Sequence, residues 1–148
     1  MEYIKYRSGY KHQLAEEYHT QVSIYPKKAV ELEYLVLTIK GELIVRSGYA
    51  WDGASGPARD TPTIMRGSLV HDALYQIFRL GLLDPDLHRR QADKELRRIC
   101  REDGMSRFRA WYVFRAVRRM AGKATDPSNQ KKLKTAPRRK RNQDKELF

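Results

Sequence analysis

Three short segments set the pattern of this chain: His71-Asp72-Ala73-Leu74-Tyr75, Gly81-Leu82-Leu83-Asp84 and Ala92-Asp93. Apolar residues recur at helical spacing on both sides of the middle segment, which predicts helices over about residues 66–80 and 85–103. The first helix starts at Thr61-Pro62 or a turn later. Gly81 suits a left-handed helix end, and Asp84-Pro85 is a start signal for the next helix. The pattern therefore predicts an antiparallel helical hairpin.

The spacing within this hairpin pairs two polar residues. His71 and Asp93 are equidistant from Leu82, and such residues lie at the same height in an antiparallel pair. Asp93 lies at the edge of the apolar side of its helix, where burying a carboxylate alone costs several kcal/mol. His71 and Tyr75 are its natural partners. We therefore predict a base, His71, and its orienting carboxylate, Asp93.

The remaining patterns predict an α+β fold for residues 1–122, with a small antiparallel β-meander over about residues 20–48 and a three-helix bundle over about 62–122. Alternating residues favour strands at Thr20–Tyr25, 34–39 and 42–46, with a tight turn at Lys40-Gly41. A third helix is predicted from about Ser106 to Met120. Its wide apolar face is interpreted as core and consists of Phe108, Trp111, Tyr112, Phe114, Val117 and Met120.

Composition limits the class of protein. A chain of 148 residues fits one domain that buries a core without disulfides. Its single cysteine, Cys100, is compatible with a reducing compartment and is predicted to be an inert core residue. The beginning of the chain lacks the apolar run of a signal peptide, and no stretch approaches the roughly 20 apolar residues of a transmembrane helix. We therefore expect no transmembrane segment and no export by the general secretory route.

Charge is concentrated after residue 122. Residues 123–148 carry nine Lys/Arg and three acids, which gives +6 of the net +12. This composition offers almost no core face and predicts a disordered basic tail. Its basic run, Arg138-Arg139-Lys140-Arg141, suits nucleic acid or another anionic surface as a partner, but the segment fits a solubilising tail equally well.

A loop of small residues, Tyr49 to Pro57, connects the predicted sheet to the helices. It holds one carboxylate, Asp52, followed by Gly53 and Ser55. Glycine and alanine leave backbone carbonyls unobstructed, and a hard cation binds such carbonyls together with carboxylates. The alternative is a structural turn capped by the Asp52 side chain.

The span from Arg46 to about Gly122 resembles a family of uncharacterised phage and prophage proteins. The resemblance rests on Asp52-Gly53-Ala54-Ser55-Gly56-Pro57, His71-Asp72-Ala73-Leu74-Tyr75 and Ala92-Asp93, which match that family's loop and two helix motifs in order. It implies a phage-type protein, located in the host cytoplasm or the virion, and names no activity.

The His-Asp-x-x-Tyr helix followed by an antiparallel helix with Asp93 also resembles the catalytic core of phospholipase A2 enzymes, especially the disulfide-free version in some viral capsid proteins. This resemblance implies that His71 is the general base, that Asp93 orients it and that Tyr75 bonds to Asp93. Asp72 would bind calcium, joined by the loop at Gly53 and Ser55, and we add Asp52 to this metal site. A phospholipid or an anionic membrane surface would be the partner. Two features differ from that family. The loop at Asp52 contains fewer glycines than the calcium-binding loop of phospholipase A2 enzymes, and the disulfides of the secreted enzymes are absent.

Three hypotheses follow. The first is a calcium-dependent lipid ester hydrolase of phospholipase A2 type. The second is a metal-dependent phosphohydrolase centred on His71-Asp72, which needs a further upstream histidine on a helix and has only His12 and His19 to draw on. The third is a non-catalytic structural or accessory protein in which His71, Tyr75 and Asp93 form a buried clamp.

Overall fold

The structure is a computed structural model that describes residues 4–6, 12–53, 61–120, 122–126 and 134–136. Its strands are β1 (Ile4–Tyr6), β2 (His12–Gln13), β3 (Tyr18–Gln21), β4 (Val30–Glu31), β5 (Leu35–Leu37), β6 (Glu42–Val45), β7 (Ala50–Trp51) and β8 (Lys134–Ala136). Its helices are α1 (Pro62–Arg79), α2 (Pro85–Glu102) and α3 (Arg107–Met120), followed by a 3-10 turn at Gly122–Thr125. Antiparallel strands followed by three helices confirm the predicted α+β fold.

The main sheet has four strands in the order β3-β6-β5-β4. The predicted strands at 34–39 and 42–46 correspond to β5 and β6, which pair as a hairpin, whereas β4, which pairs with β5, was not predicted. Strand β3 pairs with β6 and not with β5, so that Tyr18 lies opposite Val45. Strand β3 ends at Gln21 and not at the predicted Tyr25. The reason is that the Ser23 N–H donates to the Glu95 carboxylate at 2.8 Å and is therefore not available to a neighbouring strand.

The predicted helical hairpin is confirmed. Pro62 occupies the first turn of α1, and the Asp84 side chain caps α2 by accepting from the Asp86 N–H at 2.9 Å. Between the helices, Gly81 has a φ of +73°, and its N–H donates to the Phe78 carbonyl at 2.9 Å. This left-handed residue turns the chain directly into the connection that sets the register of α1 against α2.

Helix α1 packs against both the sheet and α2. One core cluster joins its apolar face to the inner face of the sheet, and a smaller cluster joins Ile64 to α2 and α3 and includes the buried Cys100. The helices approach closely at Gly67, where an added Cβ would lie 2.9 Å from Cys100 Sγ and 3.0 Å from Leu96 Cδ1. Glycine at this position therefore brings the two helices that carry His71 and Asp93 close together.

Gly67→Ala is expected to destabilise the protein by about 1–3 kcal/mol, because the overpacking outweighs the roughly 1 kcal/mol that alanine gains in helix propensity. Urea denaturation measures the change. In the Cys100→Ala background, the cost should be smaller, because the nearest atom has been removed. Additive effects of the two substitutions would contradict this account of the close approach.

Helix α3 differs from the prediction. The Ser106 side chain caps it as expected, accepting from the Arg109 N–H at 3.2 Å. The face that packs against α2, however, is formed by Ala110 and Val113, and the predicted core residue Val117 packs against them. Three other residues predicted as core, Phe108, Trp111 and Tyr112, are exposed. One neighbouring helix cannot cover an apolar face this wide. Ala110 and Val113 have smaller side chains than the aromatic residues and therefore let α3 approach α2 more closely.

Within the predicted tail, the structure describes residues 123–126 and 134–136. The 3-10 turn ends at the buried Thr125, and β8 pairs antiparallel with β1. The rest of this segment lies outside the described residues, and its disorder stays a prediction. Among the described helices, none has both the length and the hydropathy needed to cross a bilayer.

Candidate active site

The hairpin brings His71 and Asp93 together, as their spacing predicts. His71 Nε2 lies 2.7 Å from Asp93 Oδ1, and both side chains are buried, with 8% and 0% of their surface exposed. His71 lies on the inner side of α1, one turn after Ser68, and Asp93 lies on the facing side of α2. A direct hydrogen bond between a histidine and a fully buried carboxylate is therefore the centre of the site.

Tyr75 joins this pair from the next turn of α1. Its hydroxyl donates to Asp93 Oδ1 at 2.5 Å, and its ring lies 4.1 Å from the His71 ring, measured between centroids. Burial and the neighbouring carboxylate raise the pKa of the Tyr75 hydroxyl well above its ordinary value. The phenol therefore stays protonated and remains a donor to Asp93.

The second oxygen of Asp93 is held by an arginine from α3. Arg118 Nη1 donates to Asp93 Oδ2 at 2.9 Å. Burial alone would raise the pKa of the Asp93 carboxyl, but hydrogen bonds from His71, Tyr75 and Arg118 outweigh it, and the pKa is lowered. Asp93 is thus ionised near neutral pH, and Arg118 supplies a permanent positive charge beside it.

Arg89 completes the support of the site. Its Nε donates to the Tyr75 hydroxyl at 3.1 Å and lies 4.0 Å from Asp93 Oδ2. Its Nη2 donates to the carbonyls of Val117 and Arg118, at 3.1 and 2.8 Å. One guanidinium therefore fixes the end of α3, and with it Arg118, against the other two helices.

Neither arginine was predicted from the sequence. Arg89 and Asp93 are four residues apart on one helix, and this spacing could have predicted the contact of Arg89 with Asp93. Arg118 gives a weaker signal: α3 contains five arginines and no acid, so an arginine on its inner side needs a carboxylate from elsewhere.

The hydrogen-bond pattern assigns one ring nitrogen of His71. Because ionised Asp93 only accepts, His71 Nε2 carries a hydrogen, and Nδ1 is the ring nitrogen that is not bonded to Asp93. Nδ1 faces Asp72, whose Oδ1 is 4.0 Å away and whose side chain is 33% exposed. Nδ1 therefore lies on the side of the pair where the partly exposed Asp72 is found.

Asp72 and Asp52 lie next to each other. Burial raises the pKa of the Asp72 carboxyl to about 6, and the Asp52 carboxylate adds to the rise, while His71, Arg79 and a hydrogen bond from the Asp52 backbone oppose it. Gly53 follows with a φ of +80°. The start of the loop thus reaches Asp72 as the metal hypothesis requires, while Ser55 lies outside the described residues.

Trp51 fixes where this loop leaves the sheet. Its indole Nε1 donates to Ser68 Oγ at 3.2 Å, and Ser68 Oγ donates to the Met65 carbonyl at 2.9 Å. The residue before Asp52 is thereby attached to α1 one turn ahead of His71. This contact explains how a sheet residue and a helix residue come to share one site.

The chemistry of the donors fits a hard cation in part. The carboxylate of Asp52, at the start of a glycine-containing loop, and that of Asp72, on α1, supply the oxygen ligands that calcium prefers. In the described ranges, no group of three or more His, Cys, Asp and Glu side chains has an arrangement suited to a metal ion. A calcium site here would therefore depend on backbone carbonyls, with Asp72 and Asp52 supplying the charge.

The phosphohydrolase hypothesis lacks its further histidine. His12 and His19 lie in strands and not in helices, and the His19 ring contacts Glu17 and Glu42, at 2.8 and 3.2 Å. His12 packs beside Trp51, with 5.3 Å between ring centroids. Neither is placed on a helix with the His71-Asp72 pair, as that hypothesis needs.

Comparison with known proteins gives one finding. A protein-family profile described as "Protein of unknown function (DUF1353)" matches residues 29–117, a range that contains His71, Tyr75 and Asp93. No curated protein and no solved structure matches the chain.

Proposed function

We propose that this protein, which belongs to the DUF1353 family, is a lipid ester hydrolase of phospholipase A2 type with His71 as its general base. One observation carries the proposal: Asp93 Oδ1 accepts from both His71 Nε2 and Tyr75, which leaves His71 Nδ1 as the basic atom. The resemblance to phospholipase A2 rests on the same three residues in the same roles.

In the proposed reaction, a water molecule hydrogen-bonded to His71 Nδ1 attacks the carbonyl carbon of a phospholipid ester. His71 takes the proton of that water, and Asp93 and Tyr75 hold the ring in place. The tetrahedral intermediate then expels the lysophospholipid alkoxide, which receives the proton back from His71. Water is consumed, and one fatty acid and one lysophospholipid are formed.

Calcium, when bound, would stabilise the negative charge that develops on the ester oxygen. Asp72 and Asp52, with carbonyls of the loop around Gly53 and Ser55, are the residues that would hold it. The raised pKa of Asp72 supports this assignment, because a nearby cation would relieve the cost of the charge on that carboxylate.

Calcium is therefore expected to raise the melting temperature of the wild type, because a ligand stabilises only the state that binds it. At a concentration of about 100 times Kd the gain is about 2.7 kcal/mol. Asp72→Asn should remove this shift, whereas Asp86→Asn, which changes an exposed carboxylate on α2, should retain it. An equal shift in both variants would contradict calcium binding at Asp72.

Release of fatty acid from phosphatidylglycerol vesicles tests the activity. The wild type should release fatty acid with calcium, and chelation or Asp72→Asn should stop the release. Activity that persists after chelation would overturn the calcium dependence, and its absence under all conditions would overturn the hydrolase.

A second candidate function is supported by the burial of the site. Asp93 is fully buried and bonded to His71, Tyr75 and Arg118, an arrangement that also suits a structural clamp joining the three helices. In that case, the protein would be a non-catalytic accessory protein of phage type, and nucleic acid or an anionic surface would bind its basic C-terminal segment. If folded wild-type protein releases no fatty acid from the vesicles, this candidate would be favoured.

A further inference from the structure

The outer face of α3 carries aromatic and cationic side chains together. Its exposed residues follow helical spacing along one side of the helix and are Arg107, Phe108, Trp111, Tyr112, Arg115 and Arg119. We call this set the α3 face. None of its members is part of the His71 site.

The aromatic side chains of the α3 face are highly exposed to solvent for their size. Phe108 is 75% exposed, and Trp111 and Tyr112 are each 46% exposed. The rings of Phe108 and Trp111 lie 6.1 Å apart between centroids and are tilted by 35°, so they form one continuous apolar patch. A contiguous exposed patch of this kind marks a surface that binds a partner.

The charge of α3 has one sign. The helix contains five arginines and no acidic residue. The acids that precede it in the chain, Glu102 and Asp103, are bonded to Arg66 at 3.0 and 2.8 Å. Arg107, Arg115 and Arg119 are exposed, and within the part of the chain that the structure describes their guanidinium groups form no ion pair, so they can bind an anionic partner.

We propose that the α3 face binds the surface of an anionic phospholipid bilayer. Tryptophan and tyrosine place an apolar ring and a polar edge at the level of the headgroups, and phenylalanine inserts among the acyl chains. The flanking guanidinium groups donate to lipid phosphates, and each arginine near an anionic membrane strengthens binding about fivefold.

A bilayer fits this face better than a single-stranded nucleic acid. A base that stacks on a ring needs an open face of that ring. The rings of Phe108 and Trp111 lie beside each other, so each covers part of the space in which a base would stack on the other. A bilayer can instead contact both rings as one continuous apolar patch. The inference deepens the proposed function, since docking would bring the hydrolase to its substrate, but the binding itself does not require His71.

Co-sedimentation of the full-length protein with vesicles of phosphatidylcholine and phosphatidylglycerol, without calcium, tests the proposal. The charge variant Arg107→Gln/Arg115→Gln/Arg119→Gln should bind about a hundredfold more weakly. The matched control Lys27→Gln/Lys28→Gln/Lys40→Gln removes the same charge from exposed residues of the strand region and should bind almost as tightly as the wild type.

A second pair of variants tests the aromatic contribution. Phe108→Ser/Trp111→Ser should weaken binding at least tenfold, whereas Leu87→Ser, at an exposed apolar residue of α2, should leave it unchanged. Because these side chains are exposed, circular dichroism should show unchanged folding.

The wild type separates the two proposals. Wild-type protein that binds vesicles without hydrolysing lipid would overturn the hydrolase and support the α3 face. Equal losses in both charge variants would overturn the α3 face as the docking surface. It would also be overturned if the aromatic variant lost affinity for a single-stranded oligonucleotide and kept its affinity for vesicles.

Discussion

Asp93→Ala is expected to destabilise the protein by about 3–5 kcal/mol, the usual cost of breaking a buried ion pair by removing one partner. The substitution leaves Arg118 without its carboxylate and removes the acceptor of His71 and Tyr75. Urea denaturation near neutral pH measures the loss. Glu16→Ala, at an exposed carboxylate, is the control and should change stability by less than about 0.5 kcal/mol.

The stability that Asp93 contributes should depend on pH with a defined sign. Its pKa is lowered in the folded protein, so the contribution is fully present above the unfolded value of about 3.9 and is lost as the pH falls through the folded pKa. The difference between the wild type and Asp93→Asn should therefore be constant near neutral pH and shrink under more acidic conditions. A difference that grows on acidification would contradict an ionised Asp93.

His71→Gln is expected to lower the rate of fatty-acid release at least a hundredfold, the usual contribution of a positioned general base. Glutamine can still donate to Asp93, so the helical hairpin should remain folded, but the side chain has no basic nitrogen. Initial rates on phosphatidylglycerol vesicles with calcium measure the effect.

The matched control is His88→Gln, which makes the same change at the histidine in the first turn of α2. It should keep wild-type activity. Equal rates for the wild type and His71→Gln would show that the observed hydrolysis does not use this site.

The helical hairpin could be predicted because its determinants are local. Gly81 and the Asp84 cap fix the turn, and regular helix geometry then places His71 opposite Asp93 without further information. The same geometry places Tyr75 one turn from His71. The central contacts of the site therefore follow from the spacing of a short segment.

The rotation of α3 could not be predicted in this way. Its sequence offers more apolar surface than one neighbour covers, and its orientation is set by tertiary contacts. Arg118 bonds to Asp93, and Arg89 bonds to two carbonyls at the end of α3. These contacts turn Ala110 and Val113 inward and leave Phe108 and Trp111 outside.

The edge of the sheet also depended on distant residues. The alternation from Thr20 to Tyr25 is that of a strand, and Val22 and Ile24 are indeed buried. Glu95, on α2, nevertheless takes the Ser23 N–H and ends β3 early. A side chain 72 positions away in the sequence therefore decides where this strand ends.

Hydrolysis of phosphatidylglycerol vesicles by the wild type in ¹⁸O-labelled water tests whether water activated by His71 attacks the acyl carbon. We expect calcium-dependent release of fatty acid with one ¹⁸O atom in its carboxylate, and no such release by His71→Gln. Folded wild-type protein that releases no labelled fatty acid above the level of His71→Gln would contradict this role of His71.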